Sequence, residues 1–323
     1  MNNIENYGIV DLILDEGRGT IFMKDLFSKI TNDLFYVKKE DNNGLIKAFS
    51  NESIFYKTNY DNKVILILHN LYIGTNFNRE CLITLDYLIY KCNYKTVKEN
   101  RKSFKLILEK LRELELIRFE DIHRSNELII INTEKLMLNQ DNYTILTQYE
   151  IDVLSTVKDM RLMSTLLKLY LYLKVKVTKR KEGEDINMYA TPQTTYQSYE
   201  FINKYTNISE SRIKEYIDKL QDLGLIKYRN IGKRYKINDK YKKLTECPNV
   251  YALTILQEDI DSELELGVKR CKKKQLEDDY VVVNNNYKNN NRKTNGKKGA
   301  LIKKQNKGTI TKSEKVELEE LKI

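Results

Sequence analysis

Histidine and cysteine are scarce in this 323-residue sequence: the only histidines are His69 and His123, and the four cysteines, Cys81, Cys92, Cys247 and Cys271, form no C-x-x-C pair. A zinc site needs closely spaced nitrogen and sulfur ligands, so no metal is expected and the cysteines read as reduced thiols at small buried positions. Long hydrophobic runs are missing as well. Val64 to Leu68 and Leu128 to Ile131 fall far short of the ~20 apolar residues of a membrane span, and the N-terminus has no basic segment followed by an apolar stretch. The expectation is a cytoplasmic chain with no membrane partner. A G-x-x-x-x-G-K-[ST] phosphate loop is absent too, so no nucleotide-driven motor is implied. His69 lies among Ile65, Leu66, Ile67 and Leu68 and reads as a core histidine rather than a base. No catalytic residue and no cofactor are expected.

Charge is abundant. The chain has 56 Lys+Arg against 46 Asp+Glu, a formal net of +10. Lys, Asn, Ile and Tyr are abundant, and all have A/T-rich codons, so the total alone says little about a polyanionic partner. Its location says more. Residues 161–243 are +10, 244–267 are −6, 268–323 are +9, and the first 160 are −3. Codon usage acts along the whole chain and does not produce that partition.

A chain of this length holds about two domains, and an internal repeat agrees. Phe104 to Phe119 matches Ile213 to Tyr228 without a gap: Leu111 falls on Leu220, Leu114 on Leu223, Leu116 on Leu225 and Ile117 on Ile226. In both copies the apolar spacing changes from helical to strand-like after the last Leu. In the second copy Ser198 is positioned to cap a short helix whose Phe201, Ile202 and Tyr205 face inward. Ser209 is positioned to cap the next, with Ile208 packing on Ile213 as a staple, and Gly224 ends it. Leu225 to Asn230 and Arg234 to Asn238 then flank Ile231-Gly232-Lys233 as a hairpin. In the first copy Thr84 caps a helix, a longer one runs near Asn100 to Glu115, and strands at Leu116 to Ile122 and Glu127 to Asn132 follow. Apolar helices, Lys63 to Ile73 and Arg161 to Val177, precede the two copies.

The order Thr206-Asn207-Ile208-Ser209-Glu210-Ser211-Arg212-Ile213, ending in Leu220-x-x-Leu223-Gly224-Leu225-Ile226, resembles the winged-helix DNA-binding superfamily. The resemblance covers roughly Asn62 to Asn132 and Arg161 to Asn238. It implies an α+β, mainly helical fold: two winged helix-turn-helix domains and a disordered basic C-terminal tail. The expected organisation is an N-terminal segment of undetermined fold (1–60), a first module (61–135), a linker (136–160), a second module (161–243), a C-terminal helix (244–267) and the tail (268–323). In the first segment, Tyr7 to Leu14 suggests a strand, Ile21 to Ile30 a helix and Ile54 to Tyr56 a strand. Thr178 to Tyr196 reads as a mobile connection.

In helix-turn-helix geometry the second helix enters the major groove. Ser211 and Lys214 are then the base-edge candidates, with Arg212 at the flank and Ser209 at the phosphate end. The hairpin contributes Lys227, Arg229, Lys233, Arg234 and Lys236, five charges of one sign. Alanine at Lys233 and Arg234 would flatten the salt dependence of binding. Arg101, Lys102 and Lys105 are the first copy's candidates, on a module that takes either DNA or protein. Two winged helices without an effector domain resemble the replication initiators of plasmids and phages. That likeness implies binding of double-stranded origin DNA and recruitment of host replication proteins. Initiators that nick DNA use a tyrosine beside a metal held by paired histidines, and here 23 tyrosines come with no His pair. The alternatives are a transcriptional regulator, a homodimer through a dimerisation helix at Asn249 to Leu266, or a non-enzymatic scaffold or replisome-assembly protein; the regulator and its dimer are one reading.

Overall fold

A computed structural model of the chain describes residues 9–10, 25–40, 45–138, 142–177, 191–256, 259–283, 301 and 304. Residues 178–190, expected to be a mobile connection, and nearly all of the expected tail beyond 283 lie outside the described residues. The architecture is α+β.

The N-terminal part comprises β1 (Ile9–Val10), β2 (Asp25–Thr31), a hairpin of β3 (Val37–Glu40) and β4 (Ile46–Phe49), and one helical turn, α1 (Ile54–Lys57). The first repeat follows as α2 (Lys63–Ile73), β5 (Glu80–Thr84), α3 (Leu85–Lys91), α4 (Lys98–Glu113) and β6 (Leu128–Asn132). Next come α5 (Glu134–Leu138), β7 (Tyr143–Thr147) and α6 (Gln148–Ser155). The second repeat holds α7 (Met160–Lys176), β8 (Thr194–Gln197), α8 (Tyr199–Thr206), α9 (Glu210–Asp222) and β9 (Ile226–Arg229). The chain ends its described course with β10 (Lys233–Lys236), β11 (Thr245–Glu246), β12 (Asn249–Leu253), α10 (Ile260–Glu277) and β13 (Tyr280–Val283).

Both repeats share one order: helix, strand, helix, helix, strand. In the second, β12 lies between β8 and β9, antiparallel to each. In the first, β6 pairs with β5, and the expected strand at Leu116 to Ile122 is reduced to a single bridge between Arg118 and Asn132. Thr84 and Ser198 cap α3 and α8 as their positions suggest, and Gly224, at φ +71°, follows α9. Phe201 departs from expectation, being half exposed.

Four further expectations are corrected. Asp25–Thr31 is a strand where Ile21 to Ile30 suggests a helix, because it pairs along β7 and buries alternate residues, Ser28 and Ile30. Ile54 to Tyr56 is helical, its N–H at Tyr56 bonded to Ser53 Oγ at 3.2 Å. The stretch 136–160 is no linker: it supplies β7 and α6, so the N-terminal segment and this stretch share the sheet β1-β2-β7. The hairpin around Gly232 does not form either. β9 pairs with β12, while β10 joins β11 and β13 in a separate sheet. The physical reason is in β12, all five of whose residues are buried. Tyr251 and Leu253 enter the main core, Val250 and Ala252 enter a second cluster under α10, and only a central strand has two covered faces.

Residues 249–253 are thus strand rather than helix, and α10 runs through to Glu277, well past 268, where the tail was expected to begin. Leu264, Gly267, Cys271 and Gln275 form its buried stripe at helical spacing. Among the described residues nothing covers the matching face of the first repeat, where Leu128 and Ile130 are exposed.

The two repeats are fused through one core. Eleven of the seventeen residues of α7 are buried, which makes it the central helix, touching α2, α6, α8 and α9. His69 is buried between Ser28 Oγ (2.8 Å from Nδ1) and Gln148 Oε1 (3.2 Å from Nε2), and burial pushes its pKa down, as suits a neutral brace. All four cysteines are buried and free, with burial pushing the Cys81 and Cys247 thiols up to about 11. They are weak nucleophiles there.

Two lysines also enter the core region. Lys168 lies 5.4 Å from the Phe55 ring centroid, and Lys176 lies 3.6 Å from that of Tyr36 and 4.7 Å from that of Tyr205. Burial pushes both ammonium groups down from 10.5 to about 8. Between those values the unfolded chain holds protons that the folded chain has shed, so the contribution of the two lysines to stability increases with pH there. The four buried thiols, all raised from 9.0 by burial, oppose it as unfolded thiols ionise, and Tyr36 and Tyr172, raised above 10.0, do so beyond that point. The lysine contribution is therefore read as a difference: the urea midpoint of the parent relative to Lys168→Met is expected to climb between pH 8 and 10. A gap that stays constant or narrows across this window would contradict the assignment.

Candidate nucleic-acid interface

The turn between α8 and α9 is fixed by short side chains. Asn207 is left-handed at φ 55°, Thr206 Oγ1 accepts from Ile208 N at 3.2 Å, and Asn203 Nδ2 donates to Ile208 O at 2.9 Å. Ile208 and Ile213 are both buried, in keeping with the staple. Ser209 does not cap with its hydroxyl, which lies instead 3.0 Å from Ser211 Oγ. Ser209, Ser211, Arg212 and Lys214 all lie exposed at the start of α9. Their charges are balanced along the helix: Lys214 with Asp218 at 2.6 Å, Arg212 with Glu215 at 3.5 Å. Asp218 also accepts from Tyr228 at 2.8 Å, and Lys214 beside it holds its carboxyl below the usual range. Exposed pairs of this kind are screened by solvent and add little to stability, so a phosphate can displace them at little cost.

The strand cations are placed differently from expectation. Acidic residues from the −6 segment fold against them: Lys227 pairs with Asp261 at 2.7 Å, Arg229 with Glu265 at 3.6 Å, and Lys233 with Glu246 at 3.1 Å. Arg234 donates to Gln275 Oε1 and stacks on Tyr280, 4.3 Å from its centroid, while its buried Nε has no partner among the described residues. Lys236 stays exposed, 5.9 Å from the same ring. The surface is therefore not of one sign, because the acidic first half of α10 lies across the sheet beside Lys227 and Arg229.

Between the α8–α9 corner and the β10 sheet runs a groove of about 1110 Å³. Lys214, Arg234, Lys236, Lys243 and Lys274 line it together with Tyr199, Tyr228 and Tyr280; Glu200, Glu210, Asp239, Glu246 and Asp278 are also present, so acidic and basic side chains are equal in number. Lys214 of the helix candidates and Arg234 and Lys236 of the β10 candidates are thus brought to one groove, whereas Ser209, Ser211, Arg212 and Lys233 are not among its lining residues. Lys227 and Arg229 are not among its lining residues, and they contact α10 instead.

In the first repeat, two of the three candidates are braces. Arg101 forms a two-point bond to Asp86 (2.7 and 3.0 Å), and Lys105 Nζ donates to Ile122 O at 2.8 Å. Lys102 is exposed. Sequence reasoning missed its neighbours Lys91, Lys95 and Lys98, also exposed around the α3–α4 corner with Tyr87 and Tyr90. Their spacing of three to four residues is the signal in the sequence that marks them.

No protein-family model, no curated protein and no solved structure matches this chain. The functional reading rests on the geometry of the groove and the two helix corners.

Proposed function

We propose that the two repeats are winged-helix modules and that the chain binds double-stranded DNA without catalysing chemistry on it, as a replication initiator of the plasmid or phage kind. The observation that carries this reading is the groove beside α9, which Lys214 of that helix lines together with Lys236, Lys243, Tyr199, Tyr228 and Tyr280, next to the exposed helix start. In this reading α9 lies in the major groove, with Ser211 and Lys214 at base edges, and the lysines opposite hold the backbone. The repeated order of elements supports a second, like module in the same chain.

Binding to duplex DNA flanking its own gene tests the reading. Changing Lys214, Lys236 and Lys243 to Ala is expected to weaken binding and to lower the log–log salt slope by about 0.9 per lost phosphate contact. An unchanged slope rejects the groove as the interface. Repeated sites bound in a ladder favour initiation, a single palindrome favours a regulator, and no binding rejects DNA as the partner.

A further inference from the structure

We propose that the α3–α4 corner of the first repeat is a binding site for single-stranded nucleic acid. The inference rests on the DNA-binding reading above but uses a separate surface. Tyr87 and Tyr90 stand on the outer face of α3, 50% and 68% exposed. Their ring centroids are 6.3 Å apart and the planes 24° from parallel, with Lys91 Nζ 5.6 Å from the Tyr87 centroid. Lys95, Lys98 and Lys102 continue around the corner, exposed and without an ion-pair partner among the described residues. Between Tyr87 and Lys102 the one acidic residue is Glu99, and the nearby Asp86 is occupied by Arg101 and Ser125.

The corner is held rigidly. Asn93 takes a left-handed φ of 61°, Tyr94 N donates to Ile89 O at 3.1 Å, and Asn100 Nδ2 donates to Lys95 O at 2.8 Å. The Tyr94 ring packs edge-on against Phe104 at 5.6 Å. Rings and ammonium groups are therefore presented on a fixed frame, which lowers the ordering cost of binding.

Base faces decide the form of the ligand. In a duplex they are stacked on one another, so an exposed tyrosine meets only sugar, phosphate and base edges. A single strand offers open faces, and stacking combined with phosphate attraction to lysines tolerates any sequence. The second repeat lacks this pair: counted from the caps Thr84 and Ser198, the positions of Tyr87 and Tyr90 hold Phe201 and Lys204.

Fluorescence anisotropy of the full chain with a labelled thymidine oligonucleotide, alone and annealed to its complement, tests the site. Tyr87→Ala with Tyr90→Ala is expected to weaken single-strand binding about tenfold or more, and the Phe pair to leave it near the parent. Duplex binding should hold for both. An equal loss on both forms, no loss on the single strand, or a Phe pair as weak as the Ala pair would overturn the proposal. Duplex binding without single-strand binding overturns it and leaves the groove assignment standing, whereas binding to neither form removes both. Should the Ala pair unfold early, Lys95→Ala, Lys98→Ala and Lys102→Ala together test the same site. They are expected to lower the single-strand salt slope by about 0.7 per lost contact, and an unchanged slope counts against the site.

Discussion

Glu150→Ala is expected to destabilise the fold by about 3–5 kcal/mol, the range for breaking a buried ion pair by removing one partner. Glu150 is fully buried, and one carboxylate oxygen accepts from both Lys174 Nζ and Tyr170 OH. The other accepts from Thr147 N at 2.9 Å, closing a capping box in which Thr147 Oγ1 receives Glu150 N at 3.3 Å. The substitution thus strips a negative charge from beside a buried ammonium and opens the start of α6. Lys174 and Tyr170 both sit on α7, the central helix, so the loss reaches both repeats. Glu150→Gln keeps the cap and the shape and should cost less. Urea unfolding measures both, and an Ala variant within about 1 kcal/mol of the parent would show that the carboxylate is not the anchor described.

Gly267→Leu is expected to detach α10 from the second repeat. A Cβ at this position would meet Thr194 Oγ1, and Val250 Cγ1 at 2.8 Å, on β8 and β12. Helix propensity favours Ala over Gly by about 1 kcal/mol. Overpacking costs about 1–3 kcal/mol, so even Gly267→Ala should be net unfavourable and Leu considerably more so. Hydrogen exchange distinguishes local release from global unfolding: amides of α10 and β13 should exchange faster while those of α2 and α4 keep their protection. Parent-like protection in α10 would mean that the strands shift to admit a side chain.

Local signals were legible in the sequence. Caps at Thr84 and Ser198, the left-handed Gly224 and the apolar helix at Lys63–Ile73 each depend on a few neighbouring residues, and each stands where it was read. Strand partnership was not legible, because nothing within Lys227 to Lys236 says that Asn249–Leu253 will displace the nearer strand. Asp25–Thr31 was misread for the same reason, its partner lying more than a hundred residues on. The candidate site suffered likewise. Segment counting located the cations correctly, yet could not reveal that Asp261, Glu265 and Glu246 fold onto three of them.

The central place of β12 bears on the order in which the chain matures during synthesis. The first repeat has its last strand once Asn132 has emerged, whereas β8 and β9 are both made before the strand that joins them. Until Leu253 leaves the ribosome, the second repeat carries two open strand edges, and β10 waits for β13 until Val283. Unpaired edges invite pairing with other chains. The nascent protein is thus most exposed to misassociation while residues 230–253 are emerging from the ribosome, and slow translation during that emergence would lengthen the interval.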